Sequence, residues 1–281
     1  MMGIPYAAMV ARASGKEPEM QHLEGRVALV TGGGRGIGRG AALALAELGA
    51  SVAVLARSAD EVGVVADAIS ARGGRATGLT ADVANASAIA TAISMIESAF
   101  GPIDILINNA AILGPITSTA SSDPAAWAQT ITINVIGAYC CLRALLPGML
   151  ARGWGRIVNI SSGAATGTGL LNASAYSTSK AALDMLTRAV AVEVAGSGVT
   201  VNALYPGVVD TAMQTELRTT PVERIGAATS ERFVGYYERG ELGDPDKIGQ
   251  LIAAMVISAI QGQIIQNTPE QTQPLLHALL G

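Results

Sequence analysis

The chain has 281 residues, half of them apolar and 14% charged, with a formal net charge of −4. That length can bury one large core, and an acidic balance with no basic block argues against nucleic acid as the main partner. The cysteines, Cys140 and Cys141, are adjacent in a predicted helix and poorly placed to pair with each other, so they read as small buried side chains of a cytoplasmic protein.

Residues 1–24 mix Pro5, Gly15 and Pro18 with a short apolar start and lack the long apolar stretch of a secretory signal. They read as a loosely ordered extension, with Met20 offering a second start. From there apolar, β-branched runs at 27–31, 51–55, 103–107, 156–160 and 199–204 predict strands, with a weaker one at 75–79 and a last at 263–266. Helical patterns fall at 36–48, 59–72, 86–100, 124–150, 174–196 and 245–259. This alternation predicts an α/β fold: a Rossmann-type, doubly wound parallel sheet of about seven strands with helices on both faces, in one domain over 25–281. No apolar run reaches the roughly 18 residues of a membrane helix, so no membrane partner is expected. The histidines, His22 and His277, lie near opposite ends and offer no metal cluster.

The first strand runs directly into Thr31-Gly32-Gly33-Gly34-Arg35-Gly36-Ile37-Gly38, and a helix follows. Glycines there permit a tight turn and let backbone N–H groups approach a pyrophosphate at the positive end of a helix dipole. A glycine cluster alone could be a flexible loop; between strand and helix it predicts dinucleotide binding, with Gly32, Arg35, Gly36, Ile37 and Gly38 at the cofactor.

At the end of the second strand, where an acidic residue would bond a ribose 2′-hydroxyl, the sequence has Ala56, followed by Arg57 and Ser58. A guanidinium grips phosphate through charge-assisted bonds, so NADP is favoured and NAD remains open. Arg35 could add a second positive charge. Either arginine could equally be an exposed surface residue.

Tyr176 and Lys180 are four apart in a predicted helix and therefore share a face. A phenol beside an ammonium is a proton-transfer device, because a nearby positive charge favours the phenolate. Such a pair also arises by chance on amphipathic helices.

Together these motifs resemble the short-chain dehydrogenase/reductase family, in its single-domain branch, over about residues 25–267. Asn108-Asn109-Ala110-Ala111 resembles the family's Asn-Asn-Ala-Gly element, Asp82-Val83 its adenine-contacting element, and Pro206-Gly207-Val208-Val209-Asp210-Thr211 its nicotinamide-lining segment. The resemblance implies cofactor contacts by Asp82, Val83, Asn109, Ala110, Pro206, Gly207, Val209 and Thr211. It implies a catalytic set of Asn134, Ser162, Tyr176 and Lys180. Tyr176 would exchange a proton with the substrate oxygen, Ser162 would hydrogen-bond that oxygen, Lys180 would lower the Tyr176 pKa and bond the cofactor ribose, and Asn134 would position a water leading to Lys180. Asp82 or Asn85 could instead cap a helix, and Asn134 could be a buried polar residue bonded to backbone.

The implied reaction is hydride transfer between a nicotinamide cofactor and a small-molecule ketone or secondary alcohol. A 3-oxoacyl thioester reductase is an alternative, and a catalytically silent dinucleotide-binding sensor or subunit is another. The resemblance also implies a homo-oligomer formed through the helices at 124–150 and 174–196, a tetramer before a dimer.

Three departures stand out. Ser162 precedes Tyr176 by 14 residues, one more than the commonest family spacing, which would fall on Gly163. A one-residue insertion within 166–173 accounts for it, and Ser161 is a possible substitute. Ala111 replaces a glycine, and Gln266-Asn267-Thr268-Pro269 lacks the family's usual Asp-Gly-Gly. Residues 208–244 are too long for a plain connection and read as a substrate lid. In it Met213, Leu217, Phe233, Tyr236 and Tyr237 are pocket candidates, and charges of both signs read as surface ion pairs.

Overall fold

The computed structural model describes residues 23–258 and 260–280; nearly all of the N-terminal extension therefore lies outside the described residues. Seven strands form one parallel sheet: β1 (Val27–Thr31), β2 (Ser51–Ala56), β3 (Ala76–Thr80), β4 (Ile105–Asn108), β5 (Gly155–Ile160), β6 (Val199–Tyr205) and β7 (Ile264–Gln266), in the order β3-β2-β1-β4-β5-β6-β7. The chain leaves β1 toward one edge and returns to β4 on its other side, so a topological switch point opens between β1 and β4.

The inner strands are continuous apolar runs because helices cover both faces. On one face lie α1 (Gly36–Glu47), α2 (Ala59–Ser70) and α10 (Pro245–Ile257), contributing Leu45, Val65 and Ile252 to a core with Val30 and Val54. On the other lie α3 (Ala86–Phe100), α5 (Ala138–Arg152) and α6 (Ser174–Glu193), contributing Ile96, Leu145 and Val190 around Leu29 and Leu106. Side-chain caps start several of these helices: Ser58 accepts from the Glu61 N–H, and Asn85 from the N–H groups of Ser87 and Ala88.

The predicted strands agree with the observed ones to within about two residues. Two regions differ from expectation. The helix expected at 124–150 is α4 (Pro124–Ile131), a six-residue π segment (Thr132–Gly137) and α5 in one continuous stretch. Over Pro124–Arg152 an 18-residue window reaches a mean hydropathy of 1.5, enough by length and composition to cross a membrane, contrary to the reading by uninterrupted runs. Its Ile133, Asn134, Cys141 and Leu145 are nevertheless buried against the rest of the fold, as in a core helix. The second region is 208–244, which folds as α7 (Ala212–Thr219), α8 (Val222–Ile225) and α9 (Ala227–Glu238). A further helix, α11 (Pro269–Leu280), follows β7 and buries Leu275 and Leu279 in the first core.

Candidate active site

The C-terminal ends of the strands open into a cleft of about 1160 Å³. That exceeds the roughly 300–1,000 Å³ of an ordinary small-molecule pocket and leaves room for a dinucleotide with a second ligand beside it. Its first wall is the turn between β1 and α1, where Gly32, Arg35, Gly36 and Ile37 line the cleft. Gly38 lies behind them: a Cβ there would stand 2.3 Å from the Gly32 carbonyl oxygen and 2.5 Å from Asn109 Nδ2. Asn109 fixes this turn, its amide donating to the carbonyls of Thr31 and Gly32 at 3.0 and 2.9 Å. Thr31 Oγ1 in turn accepts from the Asn109 and Ala110 N–H groups at 3.0 and 3.2 Å. The glycine motif and the Asn-Asn-Ala element thus form one rigid cradle, open to a phosphate group at the start of α1.

Ala56, Arg57 and Ser58 line the cleft at the end of β2, and Asp82 and Val83 line it after β3. Asn85 rather than Asp82 caps α3, while Asp82 Oδ1 accepts from the Ala84 N–H at 2.9 Å. The arginines differ in their surroundings. Arg35 pairs with Glu61 at 3.4 Å and Arg39 with Asp246 at 3.0 Å, whereas Arg57 has no ion pair among the described residues. Arg35 therefore lines the cleft with a carboxylate beside its positive charge.

Tyr176 and Lys180 project from α6 into the middle of the cleft, with Ser162 at the end of β5. Both serines line the cleft, but the Ser161 hydroxyl is turned to the Lys180 carbonyl at 3.4 Å, whereas Ser162 Oγ accepts from the Ala164 N–H at 3.2 Å and lies close enough to Tyr176 to favour its phenolate. With the 14-residue spacing, Ser162 and Tyr176 line the same cleft.

Burial pushes the Tyr176 phenol above its ordinary pKa, and the Ser162 hydrogen bond opposes the rise. Burial draws Lys180 down to about 8, with Asp184 one helical turn further on pulling it back up. Lys180 Nζ donates to the Ile160 carbonyl at 2.7 Å and stands 5.6 Å from the centre of the Tyr176 ring.

Asn134 sits in the π segment, 1% exposed, and does not line the cleft. Its amide donates to the Ile112 carbonyl and the Ser179 hydroxyl, and its oxygen accepts from the Ile112 N–H, each at 2.9 Å. The side chain thereby ties the loop after β4 to α6, one residue from Lys180.

Pro206, Gly207, Val209 and Thr211 line the far wall after β6, and Thr211 caps α7 by accepting from the Gln214 N–H. Beyond Tyr176 the chamber is apolar, walled by Leu170, Met213, Leu217 and Phe233. Tyr236 also lines it, while Tyr237 faces outward beneath the Arg218 guanidinium at 4.0 Å. Of the charges expected to form surface ion pairs on the lid, Arg239 alone does so among the described residues, with Glu241 at 2.8 Å. Arg224, one of the two lid arginines (with Arg218) for which the sequence left an inward turn open, donates to the Ile116 carbonyl, and Arg232 lines the cleft.

The model of the short chain dehydrogenase family matches residues 26–222. The 3-oxoacyl-(acyl-carrier-protein) reductase of Pseudomonas aeruginosa is 36% identical over 232 residues, 82% of this chain and 89% of that protein. The crystal structure of an NAD+-bound xylitol dehydrogenase superposes with a TM-score of 0.79 at 28% identity, covering 87% of this chain and 98% of its own. An actinorhodin polyketide ketoreductase solved with NADPH superposes with a TM-score of 0.78 at 32% identity, covering 86% and 95%. A family model matched over most of the chain, with a relative 36% identical over most of both sequences, shows that this chain belongs to the short-chain dehydrogenase family of NAD(P)-dependent oxidoreductases.

Proposed function

We propose that the enzyme uses NADP(H), with Arg57 gripping the 2′-phosphate, to interconvert a ketone and a secondary alcohol of modest size. The observation that carries the cofactor choice is Arg57, lining the cleft without an ion pair among the described residues, beside Ala56 where a carboxylate would stand. The glycine cradle would hold the pyrophosphate, Asp82 and Val83 the adenine, and Pro206, Gly207, Val209 and Thr211 the nicotinamide end. The cofactor supplies the hydride.

Ser162 positions the substrate oxygen by hydrogen bonding, and Tyr176 gives that oxygen a proton in reduction or takes it in oxidation. A phenol raised by burial is protonated at neutral pH, which suits it to act as the acid. Lys180 carries a positive charge below about pH 8 and favours negative charge developing nearby. Asn134 is a positioning residue that fixes Ser179, and through α6 its neighbour Lys180. Ser162 facing Tyr176 favours a working enzyme over a silent one.

The apolar chamber suits a hydrocarbon body, and the likeness to a 3-oxoacyl reductase supports a 3-oxoacyl thioester as the alternative substrate class. Residues 25–281 act as one domain, with 208–244 as its lid. Exposed Ile136 and Tyr139 on the long helical stretch, with Met185 and Val192 on α6, support a homo-oligomer, a tetramer before a dimer. Unpaired Cys140 and Cys141 support a cytoplasmic setting.

Titration of wild type and Arg57→Ala with NADPH and NADH, read by intrinsic fluorescence, tests the cofactor assignment. A charge-assisted phosphate contact predicts a preference for NADPH that falls roughly 10- to 100-fold in the variant. Equal or tighter NADH binding by the wild type overturns it.

A further inference from the structure

Three segments far apart in sequence meet at the rim of the chamber in a closed ring of hydrogen bonds. Asn172 Nδ2 donates to the Arg224 carbonyl at 2.7 Å, and Arg224 Nε donates to the Ile116 carbonyl at 2.9 Å. The Thr117 N–H donates back to the Asn172 carbonyl at 2.6 Å. The ring joins the loop after β4, the segment between Ser162 and Tyr176, and α8 of the lid.

Asn172 is the one non-glycine residue with positive φ among the described residues, at 57°. Asparagine tolerates this region better than other side chains. The left-handed turn there lets its carbonyl and its carboxamide reach two different segments. A second contact lies beside the ring. A Cβ on Gly226, at the joint of α8 and α9, would stand 2.5 Å from Leu171 Cδ2. The lid therefore packs its Gly226 joint directly against the Leu171 side chain. Beneath the ring, Ile116, Leu170 and Ile225 are buried in the same apolar cluster as Tyr176, so a shift of the rim reaches the wall that carries the acid.

We propose that this ring is a latch: Asn172 and Arg224 are positioning residues that hold the lid closed over the chamber, and the lengthened segment between Ser162 and Tyr176 is what reaches the lid. The inference rests on reading the chamber as the substrate site. Rim hydrogen bonds exchange with water on opening, so each biases the lid toward closure by only a few-fold. Two or three together make a closure that opens during turnover, which a rigid strut would not allow.

The test uses full-length Asn172→Gly, Arg224→Ala and their double variant. Glycine keeps the positive φ while removing the carboxamide, which separates the hydrogen bond from the backbone conformation. Chymotryptic cleavage within 212–240 is timed without cofactor or substrate, and KM and kcat for a ketone are measured alongside cofactor affinity. The latch predicts roughly fivefold faster cleavage in each single variant, with the double variant faster again by about the product of the two, because each substitution removes a different bond of the ring. It predicts a KM raised several-fold with kcat and cofactor affinity retained. Wild-type cleavage in Asn172→Gly, or a double variant cleaved no faster than Arg224→Ala alone, overturns the latch. The cleavage arm needs no activity, so the latch is judged even if no ketone is turned over by the wild type, a result that would sink the substrate reading instead.

Discussion

Replacing Gly38 by alanine should break the cofactor cradle from behind. The added Cβ would stand 2.3 Å from the Gly32 carbonyl oxygen and 2.5 Å from Asn109 Nδ2, and backbone on one side cannot yield cheaply. Overpacking of this kind costs about 1–3 kcal/mol. Moving the Asn109 amide also strains its bonds to the Thr31 and Gly32 carbonyls, for about 1 kcal/mol each. The sum is about 3–5 kcal/mol, or a fall in Tm of roughly 10 °C for a chain of this size. Thermal unfolding followed by circular dichroism reads the fall, and fluorescence titration reads the loss of dinucleotide binding. Gly63→Ala is the control: Gly63 lies within α2 with nothing within 4 Å of its would-be Cβ. That variant should gain about 0.5–1 kcal/mol from helix propensity and bind cofactor normally. A Gly38→Ala protein melting with the wild type and binding dinucleotide equally well would refute the cradle.

The two serines at the end of β5 should separate cleanly. Ser162→Ala lowers kcat by about 10²-fold through loss of the substrate-oxygen contact, whereas Ser161→Ala, whose hydroxyl meets only the Lys180 carbonyl, stays close to wild type; the reverse ranking in steady-state assays would reassign the site. In the reductive direction the rate should be level near neutrality and fall above about pH 8 as Lys180 loses its proton. The oxidative rate should instead rise with pH, because the raised phenol must first give up its proton. A reductive rate that climbs through that range in a kcat–pH profile contradicts both assignments.

How legible the protein was depended on whether the determining contacts were local. The fully buried strands β1, β2, β4 and β5 announce themselves as apolar runs, while β3, Ala-Thr-Gly-Leu-Thr, is half-exposed and reads weakly. The glycine turn and the pairing of Tyr176 with Lys180 follow from spacing alone. The lid helices did not show because they are short and charged: α8 has four residues, and α7 depends on a cap from Thr211. Pro274 argues against a helix in the stretch that forms α11. The pairing of Arg35 with Glu61, 26 residues away, and the direction of Lys180 toward Ile160 are tertiary facts without a sequence signal. The same holds for the ring through Asn172, whose two partners come from α8 and the loop after β4.

The central claim is that Tyr176 moves the proton in an NADPH-dependent carbonyl reduction. It is tested most directly by following NADPH consumption over a panel of ketones and 3-oxoacyl thioesters with wild type and Tyr176→Phe. Phenylalanine preserves the buried ring and removes only the hydroxyl, so the variant should bind NADPH like the wild type. Its kcat should drop at least about 10²-fold on every substrate the wild type reduces. A Tyr176→Phe enzyme that keeps wild-type kcat on such a substrate would contradict the account.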